Sequence, residues 1–211
     1  MSLRKRDSKI EDEISKFLDD YFYPNVTPDF KRYNSKEEQL QGIDCTFSLT
    51  ETGVIKVDEK AATHYINKNL PTFAFELSFL LNSGQEVIGW LNDSAKKTEY
   101  YLLMWITAKK EWDILKDDIT KIEAMLIKRK DIIHYLESES YTFEKLKRAN
   151  DKIRRNDLSG ALGKMQSSDV YFFSTKTLSE KPINIIIKKT RLKKLALNHY
   201  FINDKNVLDI K

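Results

Sequence analysis

The stretch QGIDCTFSLTETGVIKVDEK, from Gln41 to Lys60, decides the fold. Its apolar side chains recur at every second position, from Ile43 to Phe47 and again at Ile55 and Val57. Such alternation is typical of β-strands with one buried face. The stretch therefore predicts a β-hairpin from Gly42 to Lys60, with a turn at Glu51 to Gly53.

Helical and strand patterns flank this hairpin on both sides. The segment from Lys9 to Phe22 has apolar residues at helical spacing and a capping residue, Ser8, before it. Thr72 to Leu80 alternates again, which predicts a third strand beside the hairpin. Downstream, the pattern predicts a strand at Glu99–Thr107, a strand or helix at Ile119–Ile127, helices at Arg129–Glu137 and Thr142–Arg155, strands at Val170–Phe173 and Ile183–Lys188, and a helix at Arg191–Tyr200.

Length and composition favour one folded domain. The chain has 211 residues, of which 41% are hydrophobic and 11% aromatic, enough to form a core. No repeat or linker interrupts it, so we expect a single mixed α/β (α+β) domain over residues 1–211, with core motifs at 9–80 and residues 111–211 as elaboration. No signal-peptide or membrane-spanning pattern occurs, which predicts a cytoplasmic protein without a membrane partner.

Cysteine and histidine are too few for several kinds of site. The one cysteine, Cys45, excludes internal disulfides and multi-thiolate metal sites, and three scattered histidines exclude a histidine-rich centre. Any metal would be held by carboxylates. The sequence has no GxSxG, GxxxxGKS or GxGxxG motif, which argues against serine hydrolases and nucleotide-binding folds.

The polar faces of the three early strands carry the main chemical signal. If these strands lie side by side, Asp44, Asp58, Lys60 and Glu76 share one surface of the sheet. Carboxylates within about 5 Å of each other repel unless an ammonium group or a divalent cation compensates them. Oxygen ligands of this kind suit Mg²⁺ or Mn²⁺.

At these residues the chain resembles the PD-(D/E)XK nuclease superfamily. Gln41-Gly-Ile-Asp44 is followed after thirteen residues by Asp58-Glu59-Lys60, in the form Asp…(Asp/Glu)-X-Lys. The predicted order of elements is similar to that superfamily's α-β-β-β-α-β core. The resemblance covers Lys9 to Leu80 and implies a restriction-endonuclease-like fold, a central mixed sheet flanked by helices.

The resemblance implies roles for individual residues. Asp44 and Asp58 would bind Mg²⁺ or Mn²⁺, with the carbonyl of Glu59 as a further ligand. Lys60 would orient or activate the attacking water and steady charge on the phosphate. The helix acid of many relatives would fall on Glu13 or its neighbours. Glu76 and Gln41 would be accessory groups. Two departures are Ile43 in place of the proline and Asp58 in place of the commoner glutamate.

The basic residues of the C-terminal half form two groups. Both readings remain open for them, a solvated surface and a phosphate-binding surface. The first group is Lys145, Lys147, Arg148, Lys152, Arg154 and Arg155, and the second is Lys188, Lys189, Arg191, Lys193 and Lys194.

The hypothesis that best fits these patterns is a metal-dependent nuclease acting on DNA, of the restriction-like or phage and mobile-element range. Many relatives work as dimers, so a homodimer belongs to this expectation. One alternative is a protein that keeps the nuclease fold and binds nucleic acid, or acts as a scaffold, without turnover. Another is a protein-interaction module whose sheet face is a structural cluster of ion pairs.

Overall fold

The computed structural model describes residues 3–49, 52–163 and 168–211, so Glu51 of the predicted turn lies outside the described residues. Contacts between residues divide the chain into two compact units, where the sequence predicted one domain. The first comprises Met1–Leu70, Lys97–Arg129 and Leu195–Lys211, and the second comprises Pro71–Lys96 and Lys130–Lys194.

Helices and strands are both abundant, which confirms the mixed α/β class. The helices are α1 (Leu3–Tyr21), α2 (Tyr23–Val26), α3 (Lys36–Leu40), α4 (Arg129–Ser138), α5 (Phe143–Arg155) and α6 (Lys189–Leu195). The strands are β1 (Lys31–Arg32), β2 (Cys45–Leu49), β3 (Gly53–Ala61), β4 (Thr72–Leu80), β5 (Glu86–Ile88), β6 (Tyr100–Ala108), β7 (Ile119–Lys128), β8 (Gly160–Leu162), β9 (Val170–Ser174), β10 (Ile183–Lys188), β11 (Asn198–Ile202) and β12 (Val207–Asp209). Within the described residues, none of the helices combines the length and the apolar character needed to cross a membrane.

The first unit is built on a seven-stranded sheet in the order β1-β2-β3-β6-β7-β11-β12. The predicted hairpin is confirmed, since β2 and β3 pair antiparallel with Cys45 opposite Val57. β3 and β6 are parallel, with Asp58 opposite Tyr101. Ile119–Ile127, for which the sequence left strand and helix open, lies in strand β7, the antiparallel neighbour of β6.

The expectation that Thr72–Leu80 lies beside the hairpin is wrong. β4 belongs to the second unit, in an antiparallel five-stranded sheet of order β5-β4-β10-β9-β8. Its alternating pattern predicted a strand correctly, but such a pattern cannot specify which strand becomes its neighbour. β10 supplies that neighbour, and Leu146 and Ile153 of α5 are buried within the same unit.

Helix α1 covers the seven-stranded sheet with the predicted apolar stripe. Ile10, Ile14, Phe17 and Leu18 are all buried in one core with residues of β2, β3 and β6. The helix begins at Leu3, so Ser8 lies inside it and is not the cap that the sequence predicted.

The predicted helix at Arg191–Tyr200 is only partly correct. α6 ends at Leu195, and the next residues form strand β11, which pairs antiparallel with β7. Tyr200 and Ile202 are buried in the core of the first unit. Pairing with a central strand therefore overrides the local helical pattern in this segment.

Candidate functional site

The hairpin places Asp44 beside the Asp58-Glu59-Lys60 triplet. Asp44 directly precedes β2, and its backbone amide donates to the carbonyl of Val57 at 2.9 Å. Its Oδ2 atom accepts a hydrogen bond of 2.7 Å from the backbone amide of Glu59. Two backbone contacts thus fix the predicted first acid against the strand that carries the second.

The carboxyl groups of Asp44 and Asp58 lie close enough to form a hydrogen bond with each other. Burial raises the pKa of Asp44 to about 6, and the negative charge of Asp58 adds to the increase, while Lys60 opposes it. Two carboxyl groups that approach in this way cannot both carry a full charge without compensation.

Lys60 supplies part of that compensation. Its Nζ atom forms an ion pair with Asp58, whose side chain is 4% exposed. Burial disfavours the Lys60 ammonium, but the Asp58 and Asp44 carboxylates outweigh this effect and raise its pKa above the ordinary value. Lys60 is therefore a cation at neutral pH.

Helix α1 and the hairpin enclose a cleft of about 270 Å³ at this point. Glu11, Ser15 and Gln39 line it together with Asp44 and Lys60. Desolvation raises the pKa of Glu11, Lys60 lowers it, and Asp7 and Asp44 raise it further. The cleft thus combines an ammonium group with carboxyl groups from a helix and from the hairpin.

The acids that α1 contributes to the cleft are Glu11 and Asp12, and Glu13 does not line it. Glu13 accepts hydrogen bonds from Lys16 Nζ at 2.6 Å and from the backbone amide of Lys116 at 2.8 Å. The hydrogen bond with the Lys16 side chain is the largest cause of the lowered pKa of Glu13, and the bond from the Lys116 amide lowers this pKa further. The prediction named Glu13 or its neighbours, and Glu11 is one of those neighbours.

The side chain of Glu59 is bound by other side chains in the protein interior. It forms an ion pair with Arg32 at 3.0 Å and accepts hydrogen bonds from Ser15 at 3.1 Å and from the hydroxyl of Tyr23. Arg32 also pairs with Asp19 at 2.6 Å. The backbone carbonyl of Glu59, the group predicted as a ligand, lies 3.5 Å from Lys60 Nζ.

The two predicted accessory residues do not join this cluster as expected. Glu76 is on β4, in the sheet of the second unit, because that strand does not extend the hairpin. Gln41 caps the C-terminal end of α3, and its carbonyl accepts from the amide of Lys97 at 2.8 Å. Gln39, two residues earlier, lines the cleft instead.

The two basic groups differ in their exposure and in their ion pairs. Lys145 and Arg148 are exposed on α5, as a phosphate-binding role requires. In the second group, Lys188 and Arg191 both pair with Asp169, at 3.0 and 2.6 Å. Lys189 is buried, 7% exposed, so the prediction of an accessible contact at this residue is wrong.

Tyr101 and Arg129 also belong to the surroundings of the cluster, although no sequence pattern pointed to them. Tyr101 lies opposite Asp58 in the parallel pair, and its hydroxyl is hydrogen-bonded to Arg129. Burial raises the pKa of Tyr101 well above its ordinary value, Arg129 opposes the increase, and Asp58 adds to it. The register of β3 on β6 could not be read from the sequence, so this neighbour of Asp58 was not foreseen.

Among the residues that the structure describes, no group of three or more His, Cys, Asp or Glu side chains is arranged to hold a metal ion. Mg²⁺, however, is commonly bound through one or two carboxylates, with water and substrate phosphate as the other ligands. Asp44 and Asp58 form such a pair. These two carboxylates therefore fit a cation that prefers oxygen ligands and takes its remaining ligands from water and substrate phosphate.

Comparison of the chain with known family models, with curated proteins and with solved structures found no match.

Proposed function

We propose that this protein is a metal-dependent nuclease of the PD-(D/E)XK type that hydrolyses phosphodiester bonds in DNA. One observation carries the proposal: Asp44 accepts a hydrogen bond from the backbone of the Asp58-Glu59-Lys60 triplet, its carboxyl group lies beside that of Asp58, and Lys60 pairs with Asp58. The motif Asp…Asp-X-Lys thus converges in space as the nuclease reading of the sequence requires. A restriction-endonuclease-like core, formed by α1, the hairpin and β6, is part of the same proposal.

Asp44 and Asp58 are the residues proposed to hold Mg²⁺ or Mn²⁺. Burial raises the pKa of Asp44, and repulsion by the charge of Asp58 adds to the increase. A divalent cation would remove this repulsion. When bound, such an ion polarises a phosphoryl oxygen and lowers the pKa of a bound water molecule. Glu11, which lines the same cleft, is proposed as a further carboxylate.

Lys60 is proposed to stabilise charge and not to act as a base. Its raised pKa keeps the amine protonated at neutral pH, so it has no lone pair with which to accept a proton. An ammonium group of this kind donates hydrogen bonds to the phosphate oxygens, on which charge increases in the transition state. Ser15 and Gln39 offer further hydrogen-bonding groups along the cleft.

The experiment that tests this function compares cleavage of single-stranded and duplex DNA by the wild type, Asp44→Asn and Lys60→Met, with Mg²⁺ or Mn²⁺ present. We expect cleavage by the wild type that disappears on chelation of the metal, and a loss of at least about 100-fold in each variant. RNA of the same sequence establishes which nucleic acid is preferred.

Glu76→Gln is the matched control, because it removes a carboxylate that the sequence grouped with the site and the structure places on the other sheet. Circular dichroism and thermal unfolding verify that each variant is folded. Cleavage that is unchanged in Asp44→Asn and Lys60→Met, or absent from the folded wild type with either metal, contradicts the proposal.

A further inference from the structure

Helix α5 has one buried face and one cationic face. Leu146, Asn150 and Ile153, at helical spacing, form its inner face, and Leu146 and Ile153 are buried. Asn150 also accepts a hydrogen bond of 2.7 Å from Ser78 of β4. The helix is thereby fixed against the sheet of the second unit, and its opposite face is directed to solvent.

Of the five exposed cations of α5, all but Lys147 lie along one side of the helix, and we name these four the α5 stripe: Lys145, Arg148, Lys152 and Arg155. Their spacing of three, four and three residues aligns them along one side of the helix. All four are exposed. With a rise of about 1.5 Å per residue, the stripe extends over about 15 Å.

Within the described part of the chain, no acidic side chain pairs with the α5 stripe at ion-pair distance. Glu144 and Asp151 stand four residues before Arg148 and Arg155, where ion pairs are common. Each arginine Nε instead donates to a backbone carbonyl, that of Glu144 or Asp151, at 3.3 Å. The positive charge of the stripe is therefore not cancelled by ion pairs.

Helix stability explains only half of this arrangement. Cations in the last turn, such as Lys152 and Arg155, interact favourably with the helix dipole. Lys145 lies in the first turn, where the dipole disfavours positive charge, and its Nζ atom lies over the ring of Tyr141, 4.9 Å from the centroid. Arg148 lies near the middle of the helix, where the dipole has little effect. The helix dipole therefore gives no reason for a cation at either position.

We infer that the α5 stripe binds the phosphate backbone of duplex DNA without reading its sequence. A duplex presents about nine phosphate charges over 15 Å, which complements a straight row of four cations. A membrane surface is a poorer partner, because a helix that lies in a bilayer must insert its apolar face, and Leu146 and Ile153 are buried in the protein.

The choice of DNA as the polyanion rests on the proposed function, but the binding surface is separate from the residues of the cleft. The α5 stripe belongs to the second unit and the residues of the cleft to the first. Each phosphate contact releases counterions, so the surface contributes to the salt dependence of binding.

The test measures binding of a labelled mixed-sequence duplex by fluorescence anisotropy at several salt concentrations, without divalent metal. The stripe variant is Lys145→Gln, Arg148→Gln, Lys152→Gln and Arg155→Gln combined. Its control replaces the same number of exposed lysines in the first unit, Lys31, Lys36, Lys121 and Lys205, with glutamine. A charge-conserving variant (K145R, R148K, K152R, R155K) separates charge from side-chain identity.

The logarithm of the DNA association constant decreases linearly with the logarithm of the salt concentration. We expect this decrease to be less steep by about 3 to 4 units of slope in the stripe variant, with a loss of affinity of at least about tenfold near 0.1 M salt. The control and the charge-conserving variant should keep the wild-type slope. An equal loss in the control overturns the inference, as does unchanged binding by a stripe variant that circular dichroism shows to be folded. Wild-type binding to phosphatidylserine vesicles but not to DNA overturns it too.

Cleavage and binding fail separately in this design. The stripe variant is assessed by DNA binding without divalent metal, and the cleft variants are assessed by cleavage. Binding that depends on the α5 stripe in a protein that never cleaves would retain this inference and refute the proposed function.

Discussion

The backbone amide of Glu59 donates a hydrogen bond of 2.7 Å to Oδ2 of Asp44. This contact joins the acid before β2 to the centre of the Asp58-Glu59-Lys60 triplet on β3. The side chain of Glu59 is held by Arg32 and Tyr23 in the protein interior. One residue thus connects the candidate site to the core, by its backbone on one side and by its carboxylate on the other.

Glu11→Gln should weaken the proposed site, because Glu11 lines the cleft with Asp44 and Lys60. We expect metal affinity or cleavage rate to fall about 10- to 100-fold, the usual effect of removing a group that supports a metal site. The measurement is the rate of DNA cleavage as a function of Mn²⁺ concentration.

Glu13→Gln is the matched control for that change, since it removes the same charge from the same helix. Glu13 contacts Lys16 and the amide of Lys116 and does not line the cleft. Its substitution should leave the metal dependence unchanged. Equal effects of the two substitutions would mean that the choice of Glu11 is wrong.

Arg32→Met should destabilise the protein by about 3 kcal/mol or more, because it leaves the buried carboxylate of Glu59 without its cation. Urea unfolding measures the change. Lys31→Met is the control on the neighbouring position, which is exposed, and should change the free energy of unfolding by no more than about 0.5 kcal/mol. A midpoint for Arg32→Met equal to that of the wild type would contradict the view that this ion pair anchors Glu59.

Local patterns predicted the elements next to the site correctly. The alternation from Ile43 to Val57 specified the hairpin and therefore the positions of Asp44, Asp58 and Lys60 relative to one another. The apolar stripe of α1 specified its buried face. These features depend on residues that are close in sequence, so a single sequence contains enough information for them.

Features that depend on distant pairing were not predictable. The alternation in β4 did not reveal that β10 is its neighbour, and so Glu76 was grouped with the wrong sheet. Glu11 and Glu13 both flank the apolar stripe of α1, and only the position of the hairpin distinguishes them. Lys189 looked like part of an exposed basic run, but tertiary packing buries it.

Asp29 should make the stability of the protein depend on acid pH. Its carboxylate accepts hydrogen bonds from the hydroxyls of Ser48 and Thr27 and, at 2.9 Å, from the amide of Ser48. These bonds lower the pKa of Asp29 to about 2. Because the folded-state pKa is depressed, the stabilisation is complete above the unfolded value of about 4 and is lost as the pH falls towards 2.

Asp29→Asn removes this contribution, so its melting temperature should be lower than that of the wild type at pH above about 5, and the difference should shrink below pH 4. Thermal unfolding across this range measures it. Asp204→Asn, at an exposed aspartate, controls for the change in net charge. A difference that stays constant with pH would show that Asp29 does not act through its ionised form.

Lys60→Met should be more destabilising than Asp58→Asn, because the two partners differ in burial. The side chain of Asp58 is 4% exposed and that of Lys60 is 26% exposed. Without Lys60, a buried carboxylate remains next to Asp44, at a cost of about 3 kcal/mol. Without the charge of Asp58, the amine of Lys60 can still turn to the open side of the cleft. The double variant should therefore be more stable than Lys60→Met alone, and a cycle of urea unfolding experiments measures the coupling.

The same variants give a test of metal binding that does not depend on catalysis. Mn²⁺ should raise the stability of Lys60→Met, since the uncompensated Asp44 and Asp58 carboxylates then have a cation to bind. At ten times the dissociation constant the gain is about 1.4 kcal/mol. The gain should be absent from the double variant, which keeps only one of the two carboxylates. Equal responses to Mn²⁺ in the single and double variants would remove Asp58 from the proposed ligands.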